Sequence, residues 1–300
     1  MKLVESPLEL VGNTPLIRLR KFCNHGHLFA KCEFLNPGGS VKDRVAKHIL
    51  EQAVKTGKIV PGKTVIAEAT SGNTGIGMAL VGRQLGCRVI IVMPENMSEE
   101  RKKIIAALGA ELILTPAERS LDGCLEKIRE LAAADPDVYV PNQFTNPDNP
   151  AIHHDTTGPE IWEALEGRID VFVAGVGSGG TLQGVGSFLK ERNPRVRVIA
   201  VEPANNAALL GREPGLHQIQ GIGDGFVPDV LDTRLIDMVI TVTDEQAIET
   251  TRQLARTEGL LVGTSSGANV YAAAEVATPG KHVVTILADR AERYFSTALI

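Results

Sequence analysis

Short apolar runs alternate along this chain with stretches in which apolar residues recur every three or four positions. The runs "TVIAEAT" (64–70), "CRVIIVMP" (87–94), "AELILTP" (110–116), "VYVPNQF" (138–144), "VFVAGVG" (171–177), "VRVIAVEP" (196–203), "DMVITVT" (237–243) and "HVVTIL" (282–287) read as strands, being short and rich in Val and Ile. The segments between them carry helix punctuation. "SEERKKIIAALG" has Ser98 as cap and Gly109 as stop, and "DEQAIETTRQLARTEG" is opened by Asp244 and closed by Gly259. Near-continuous Val/Ile runs separated by helices predict parallel strands buried on both faces. The expected class is α/β, doubly wound.

The Pro/Asn-rich "NPDNP" (146–150) marks a domain junction. It predicts two lobes, 1–145 and 146–300, with a cleft between them and the segment near 12–35 a candidate to pack on the other lobe. Ala204 to Pro228 is rich in Gly and Pro and lacks periodicity, and a connection that long is usually functional or disordered.

Composition narrows the function. With 300 residues, 43% hydrophobic content and a net charge of −5, the chain is long enough for a sizeable core and offers no basic footprint for nucleic acid. Cys23, Cys32, Cys87 and Cys124 show no CxxC pairing, and neither they nor the pair His153-His154 stand in a metal-ligand frame. Reduced thiols and no metal are expected. The N-terminus meets Glu5 and Pro7 before an apolar run develops, so it does not read as a signal peptide. No run approaches the length needed to span a bilayer, and a soluble, cytoplasmic protein is expected.

Three loops at strand ends carry candidate chemistry. In "EATSGNTGIGMAL" a strand ends near Thr70 and a helix starts around Asn73 to Gly75. Thr70, Ser71, Asn73 and Thr74 crowd that helix start with donors, which makes an anion site; the plain alternative is a well-capped helix. "AGVGSGGTLQGVG" also follows a buried strand and opens a helix, the setting for a phosphate bound by backbone N–H groups. Gly177, Gly179 and Gly180 allow close approach, and Ser178 and Thr181 add hydroxyls. Gly175, Gly177 and Gly180 also satisfy G-x-G-x-x-G, with Glu202 ending the next strand, the pattern of a dinucleotide fingerprint. The third loop, "VGTSSGANVYAAA", places Ser265, Ser266 and Gly267 ahead of another helix.

A lysine joins these loops. In "LNPGGSVKDR" (35–44) the Asn-Pro-Gly-Gly turn precedes Ser40 and Asp43, spaced as a capping box. Lys42 therefore falls in a first helical turn, against the positive end of the dipole. The dipole and burial both favour the neutral, nucleophilic amine. A neutral lysine and a phosphate cradle together suggest pyridoxal phosphate. The alternative is a surface lysine whose stem bends to solvent.

Taken together, "NPGGSVKDR", "TSGNTG", "GVGSGGT", "GIGDGFVP" and "GTSSGA" resemble the cysteine synthase (O-acetylserine sulfhydrylase) family of fold-type II pyridoxal-phosphate enzymes, with cystathionine β-synthases as close relatives. The resemblance runs from "VGNTPL" (11–16) to "ERYFSTALI" (292–300). It implies that Lys42 bonds to the cofactor aldehyde and later acts as acid and base at the substrate α-carbon. It implies that Asn73 hydrogen-bonds the ring hydroxyl and that Thr70, Ser71, Thr74 and Gln143 hold the substrate α-carboxylate. Gly177, Ser178, Gly179, Gly180 and Thr181 match the phosphate loop, and Ser265 the serine facing the pyridine nitrogen. A neutral serine there leaves the ring a weaker electron sink, which favours expelling a β-leaving group over transamination. The implied reaction is β-replacement of the acetate of O-acetylserine by sulfide. A homodimer, and docking of the C-terminal tail of serine acetyltransferase, are implied as well.

Two positions depart from the family pattern. Asp224 in "GIGDGFVP" stands where the synthases carry a small residue and one position before the acid of the cystathionine β-synthases; an acid near there could bind the ammonium of homocysteine, and the plain alternative is an exposed turn aspartate. Arg290 in "LADRAERY" replaces the usual small-residue turn. Condensation with homocysteine is the nearest alternative activity. A nicotinamide-dependent dehydrogenase, from the Gly175 fingerprint, and a non-catalytic binding partner are more distant ones.

Overall fold

The computed structural model describes residues 3–22, 26–70 and 72–299. Its strands are β1 (Leu16–Arg18), β2 (His27–Cys32), β3 (Val65–Ala69), β4 (Arg88–Pro94), β5 (Glu111–Thr115), β6 (Val138–Tyr139), β7 (Val171–Gly175), β8 (Arg197–Pro203), β9 (Met238–Val242) and β10 (His282–Leu287). The helices are α1 (Lys42–Lys55), α2 (Asn73–Gln84), α3 (Glu99–Ala107), α4 (Ser120–Ala134), α5 (Asp148–Ile152), α6 (Gly158–Ala164), α7 (Gly180–Arg192), α8 (Asp244–Glu258) and α9 (Thr264–Glu275), with a π-helical turn at His153–Thr157 between α5 and α6. Two compact units emerge, Met1–Val11 with Asn36–Asp148, and Gly12–Leu35 with Asn149–Ile300.

The first unit is built on a four-stranded parallel sheet in the order β5-β4-β3-β6. Side-chain alternation sorts its apolar residues into two layers. Ile66, Val89 and Ile91 join Ala46, Leu50, Ile76 and Ala79 of α1 and α2 on one face. Val65, Ala67, Ile90 and Val92 join Cys124 and Ile128 of α4 on the other. A sheet covered on both faces is what runs such as "VIIV" require.

The second unit carries the order β1-β2-β10-β7-β8-β9. Strands β2, β10, β7, β8 and β9 are parallel, whereas β1 runs antiparallel to β2. Leu28, Val173, Val201 and Val283 pack with Leu254, Val270 and Ala273 of α8 and α9. Phe172, Val198 and Val284 pack with Ile161, Val185 and Leu189 of α6 and α7 on the opposite face. Both units are thus doubly wound, with β1 the exception to parallel pairing.

Several local expectations need correction. The run 138–144 forms only the two-residue β6, because Pro141 supplies no N–H and Asn142 turns left-handed at φ 54°. Strands β1 and β2 escape the sequence pattern: β1 is three residues long, and β2 carries Lys31 inside "HLFAKC". That lysine is fully buried, donating to Glu160 at 2.5 Å and to the Thr14 carbonyl. Helix α8 is opened by Thr243, not Asp244, in a capping box with Gln246; it ends at Gly259 as expected, in the left-handed conformation at φ 72°. Ser98 precedes α3 without capping it through its side chain. No helix among the described residues is long and apolar enough to cross a membrane. Cys32, Cys87 and Cys124 are free, buried thiols, while Cys23 lies outside the described residues.

Candidate active site

In the first unit the loop after β3 and the start of α1 converge on one amide. Lys42 is the first residue of α1 and half-buried. The expected Ser40–Asp43 capping box does not form. Ser40 Oγ accepts from the Lys42 N–H at 3.2 Å, while the Asp43 carboxylate turns back to accept from Gly38 N–H at 2.6 Å. Asp43 thus ties down the Pro-Gly-Gly turn, in which Gly39 adopts φ 82°. The lysine amine donates to Gln143 Oε1 at 3.2 Å, and Thr74 Oγ1 donates to the same oxygen at 2.8 Å. Thr70 Oγ1 accepts from Gly72 N–H at 3.0 Å, holding the loop into α2, which begins at Asn73. Thr70, Thr74 and Gln143 are buried. Ser71 lies outside the described residues.

What sets Lys42 in place is the contact of α1 with α2. A Cβ on Gly77 would sit 2.9 Å from the Lys42 carbonyl oxygen and 3.0 Å from Ala46 Cβ. Only a glycine there lets the two helices approach this closely.

Sequence reasoning missed two charged residues beneath this loop. Glu68, on β3, is 2% exposed. Burial pushes its carboxyl up to about 8, partly offset by hydrogen bonding from the backbone of Asn142 and Gln143 and by the charge of Lys42. Arg101, on α3, is equally buried and lies against Gly72, where an added Cβ would come within 2.7 Å of its Nε. An acid inside the otherwise apolar "TVIAEAT" was a visible signal for Glu68; nothing in "SEERKK" sets Arg101 apart from its neighbours.

In the second unit the Gly-rich loop joins β7 to α7. Gly179 is the N-cap at φ 79°. The backbone N–H groups of Gly177, Gly179, Gly180 and Thr181 donate to no group among the described residues. The two hydroxyls are braced from outside: Ser178 Oγ accepts from Asn149 Nδ2 at 3.0 Å, and Thr181 Oγ1 lies 3.3 Å from His153 Nε2. Asn149 was not singled out from sequence, and His153 was weighed there only as a metal ligand. The glycines are dictated by close approach, since a Cβ would lie 2.3 Å from the Gly221 oxygen at Gly177 and 1.9 Å from Asn149 Oδ1 at Gly180.

Ser265 does not precede a helix but lies in the first turn of α9, with Gly263 as N-cap. It is 4% exposed, and its hydroxyl has no hydrogen-bond partner among the described residues. Nearby space is open, because a Cβ on Gly221 would meet only Ser265 Oγ, at 3.8 Å. Its neighbours serve structure: Ser266 Oγ accepts from Ala288 N–H, and Gly267 makes room for Thr251 and Ala247 of α8.

Glu202, the acid of the apparent dinucleotide fingerprint, is buried, and both its oxygens accept from Leu209 N–H. It is not presented to a ribose, so the G-x-G-x-x-G match reflects packing and not a nicotinamide site. Arg290 Nε donates to the Phe34 carbonyl at 2.9 Å, and residue 290 bridges to Val262, a structural place that its sequence did not suggest. Asp224 is half-buried in the loop that follows Gly221.

The family model described as "Pyridoxal-phosphate dependent enzyme" matches residues 8–289. The chain belongs to this family. Among curated proteins it is similar to the cysteine synthase of Staphylococcus aureus, at 46% identity over 99% of this chain and 97% of that one. Among solved structures it is similar to the cysteine synthase (OASS) of Entamoeba histolytica, with 41% identity, a TM-score of 0.95, and coverage of 99% of this chain and 91% of that one. It is also similar to an O-acetylserine dependent cystathionine beta-synthase from Helicobacter pylori, with 44% identity, a TM-score of 0.94, and coverage of 100% and 99%.

The residues present fit the family's cofactor. Four N–H groups without acceptors among the described residues, in the loop that opens α7, suit a phosphate. A buried serine hydroxyl beside open space suits a ring nitrogen that accepts a hydrogen bond. In the first unit a half-buried primary amine donates to the amide oxygen of Gln143, beside the loop that opens α2. Lys31, the rival buried lysine, is committed to Glu160 and Thr14.

Proposed function

We propose that this chain catalyses β-replacement on O-acetylserine, with sulfide as nucleophile and cysteine and acetate as products. The Cβ–O bond to acetate breaks, a Cβ–S bond forms, and the proton removed from Cα is returned, so no net oxidation occurs. Pyridoxal phosphate, when bound, supplies an electron-withdrawing ring that accepts the electron pair of the Cα–H bond. The observation that carries the reading is the Lys42–Gln143–Thr74 cluster, in which an amine and a hydroxyl donate to one amide oxygen.

Lys42 is the residue that bonds the cofactor and moves the Cα proton. Thr70, Ser71, Thr74 and Gln143 hold the substrate α-carboxylate, and Asn73 hydrogen-bonds the ring hydroxyl. Gly177, Ser178, Gly179, Gly180 and Thr181 hold the phosphate through the N-terminus of α7. Ser265 faces the pyridine nitrogen without protonating it, which favours loss of a β-leaving group over transamination. Carboxylate binding at the start of α2 excludes water while the reacting carbon is exposed. The family resemblance, in addition, supports a homodimer and binding of the serine acetyltransferase C-terminal tail; sedimentation and a pull-down at high protein concentration test these.

The test is a pair of assays at matched concentrations, O-acetylserine with sulfide and O-acetylserine with homocysteine, on protein that shows the yellow of bound cofactor. Faster turnover with sulfide is expected. Dominant turnover with homocysteine supports the second reading, cystathionine formation, which the 44% identity to the Helicobacter pylori enzyme favours. Under that reading Asp224 binds the ammonium group of homocysteine, and Asp224→Ala slows only the homocysteine reaction. A colourless protein that binds a nicotinamide dinucleotide overturns both.

A further inference from the structure

The buried carboxyl of Glu68 has no part in the reaction outlined above, and its position connects it to two residues that do. It follows Ile66 by two residues on β3 and so shares the face packed against α1 and α2. In the parallel register of β3 with β6, Val65 lies opposite Val138 and Ile66 opposite Tyr139. Strand β6 ends at Tyr139, and just beyond it the backbone of Asn142 and Gln143 hydrogen-bonds the Glu68 carboxyl. Asn142 holds φ 54° there, a conformation that costs a non-glycine residue about 1 kcal/mol or more unless its surroundings fix it. The next residue, Gln143, sends its amide oxygen to both Lys42 Nζ and Thr74 Oγ1.

We infer that Glu68 is a positioning residue for Lys42: it fixes the turn that delivers the Gln143 amide, and its ionisation sets the charge that the lysine amine experiences. The inference rests on the proposed role of Lys42. The groups facing Glu68 are few. Helix α1 presents Lys42, and the strand β6 presents the phenol of Tyr139, whose pKa is itself raised, chiefly by burial and then by Asp148 and Glu68. Strand β4 offers Ile91 opposite it, and α2 carries no charged residue before Arg83. Lys42 is therefore the one cation acting on this carboxyl among the described residues. With the proton on, the lysine sees a neutral neighbour; with it off, an anion in a dry layer favours the cationic form of the nitrogen.

The test compares wild-type, Glu68→Gln and Glu68→Asp holoenzymes across pH by two readouts, the visible band of the bound cofactor and infrared difference titration of protonated carboxyls. In the infrared, wild type should show one buried carboxyl titrating near 8, absent from Glu68→Gln. In the visible, Glu68→Gln should coincide with wild type well below that pH and diverge above it, its lysine-linked midpoint lower by about one pH unit or more. In turnover, kcat should fall above that pH with KM for sulfide unchanged, and Glu68→Asp should restore the break. A merely structural role offsets the variant equally at every pH, and that result, or a carboxyl band that survives in Glu68→Gln, overturns the inference. If no chain, wild type included, shows a visible band, the functional reading fails and the infrared titration alone decides the role of Glu68. A Glu68→Gln chain that does not fold leaves the decision to Glu68→Asp, whose titrating band must move in pH together with the lysine-linked midpoint.

Discussion

If Lys42 bonds the cofactor as proposed, Gly77→Ala should damage activity far more than stability, because it pushes on the backbone of Lys42 itself. The added Cβ would lie 2.9 Å from the Lys42 oxygen, 3.0 Å from Ala46 Cβ and 3.3 Å from the Lys42 carbonyl carbon. All three are backbone or first side-chain atoms, so no flexible tip can swing away. Ordinary contact at 3.5–4.0 Å requires α1 and α2 to part by about half an ångström or more. Overpacking of this kind costs about 1–3 kcal/mol, offset by about 1 kcal/mol from the better helix propensity of alanine. The net loss of about 0–2 kcal/mol corresponds to a fall in Tm of at most about 8 °C. Displacing a reacting amine by a comparable distance costs up to about 100-fold in rate. Gly82→Ala is the control on the same helix. Its Cβ meets Val89 Cγ2 at 2.6 Å and Ile66 Cδ1 at 3.0 Å, side-chain ends remote from Lys42. Calorimetry and steady-state kinetics on both variants give the comparison. Equal loss of kcat in the two, or a larger loss in Gly82→Ala, refutes the role assigned to the α1–α2 contact.

Gly180→Ala should weaken cofactor binding by about tenfold or more, since its Cβ would land 1.9 Å from Asn149 Oδ1 and Asn149 is fully buried; cofactor titration measures this, and Asn149→Gly in the same chain should restore part of the loss. Glu68 makes stability depend on pH with a definite sign. Its folded pKa is raised from 4.5 to about 8, so the native state binds more protons in that window and unfolding free energy falls as pH rises. The interval between 4.5 and about 8, at about 1.4 kcal/mol per unit, amounts to about 5 kcal/mol. Urea unfolding across the window should therefore show Glu68→Gln gaining on wild type as pH rises, and a constant difference contradicts this. Lys31→Met should destabilise by about 1–3 kcal/mol, because it removes the buried ammonium that Glu160 and the Thr14 carbonyl both accept from; denaturant midpoints read the loss, and adding Glu160→Gln should recover part of it.

How much of this was legible in the sequence depended on whether the signal was local. Buried parallel strands announce themselves as Val/Ile runs, and "RVIIVMP" and "HVVTIL" fold as they read. The run at 138–144 fails after two residues because Pro141 and the left-handed Asn142 outweigh its apolar content. Strand β2 was hidden because a buried lysine looks like a surface residue until Glu160, far along the chain, is brought to it. The place of Lys42 in a first helical turn was legible for the opposite reason, because the Asn-Pro-Gly-Gly turn before it is a local signal. The Ser40–Asp43 box misled because the Gly38–Gly39 turn offers Asp43 a nearer N–H donor. The loop glycines could be read as permissive, but whether each faces a ligand or a packed neighbour, as Gly180 faces Asn149, needed the fold. Glu68 became a candidate only once its burial on β3 was seen.

One measurement bears on Lys42 without depending on substrate or rate. Holoenzyme is reduced with borohydride, digested, and its peptides mapped by mass. The pyridoxyl group is expected on the peptide containing residue 42 and on no other. A tag on Lys31, on any other lysine, or on none would contradict the assignment of Lys42 as the cofactor's covalent partner.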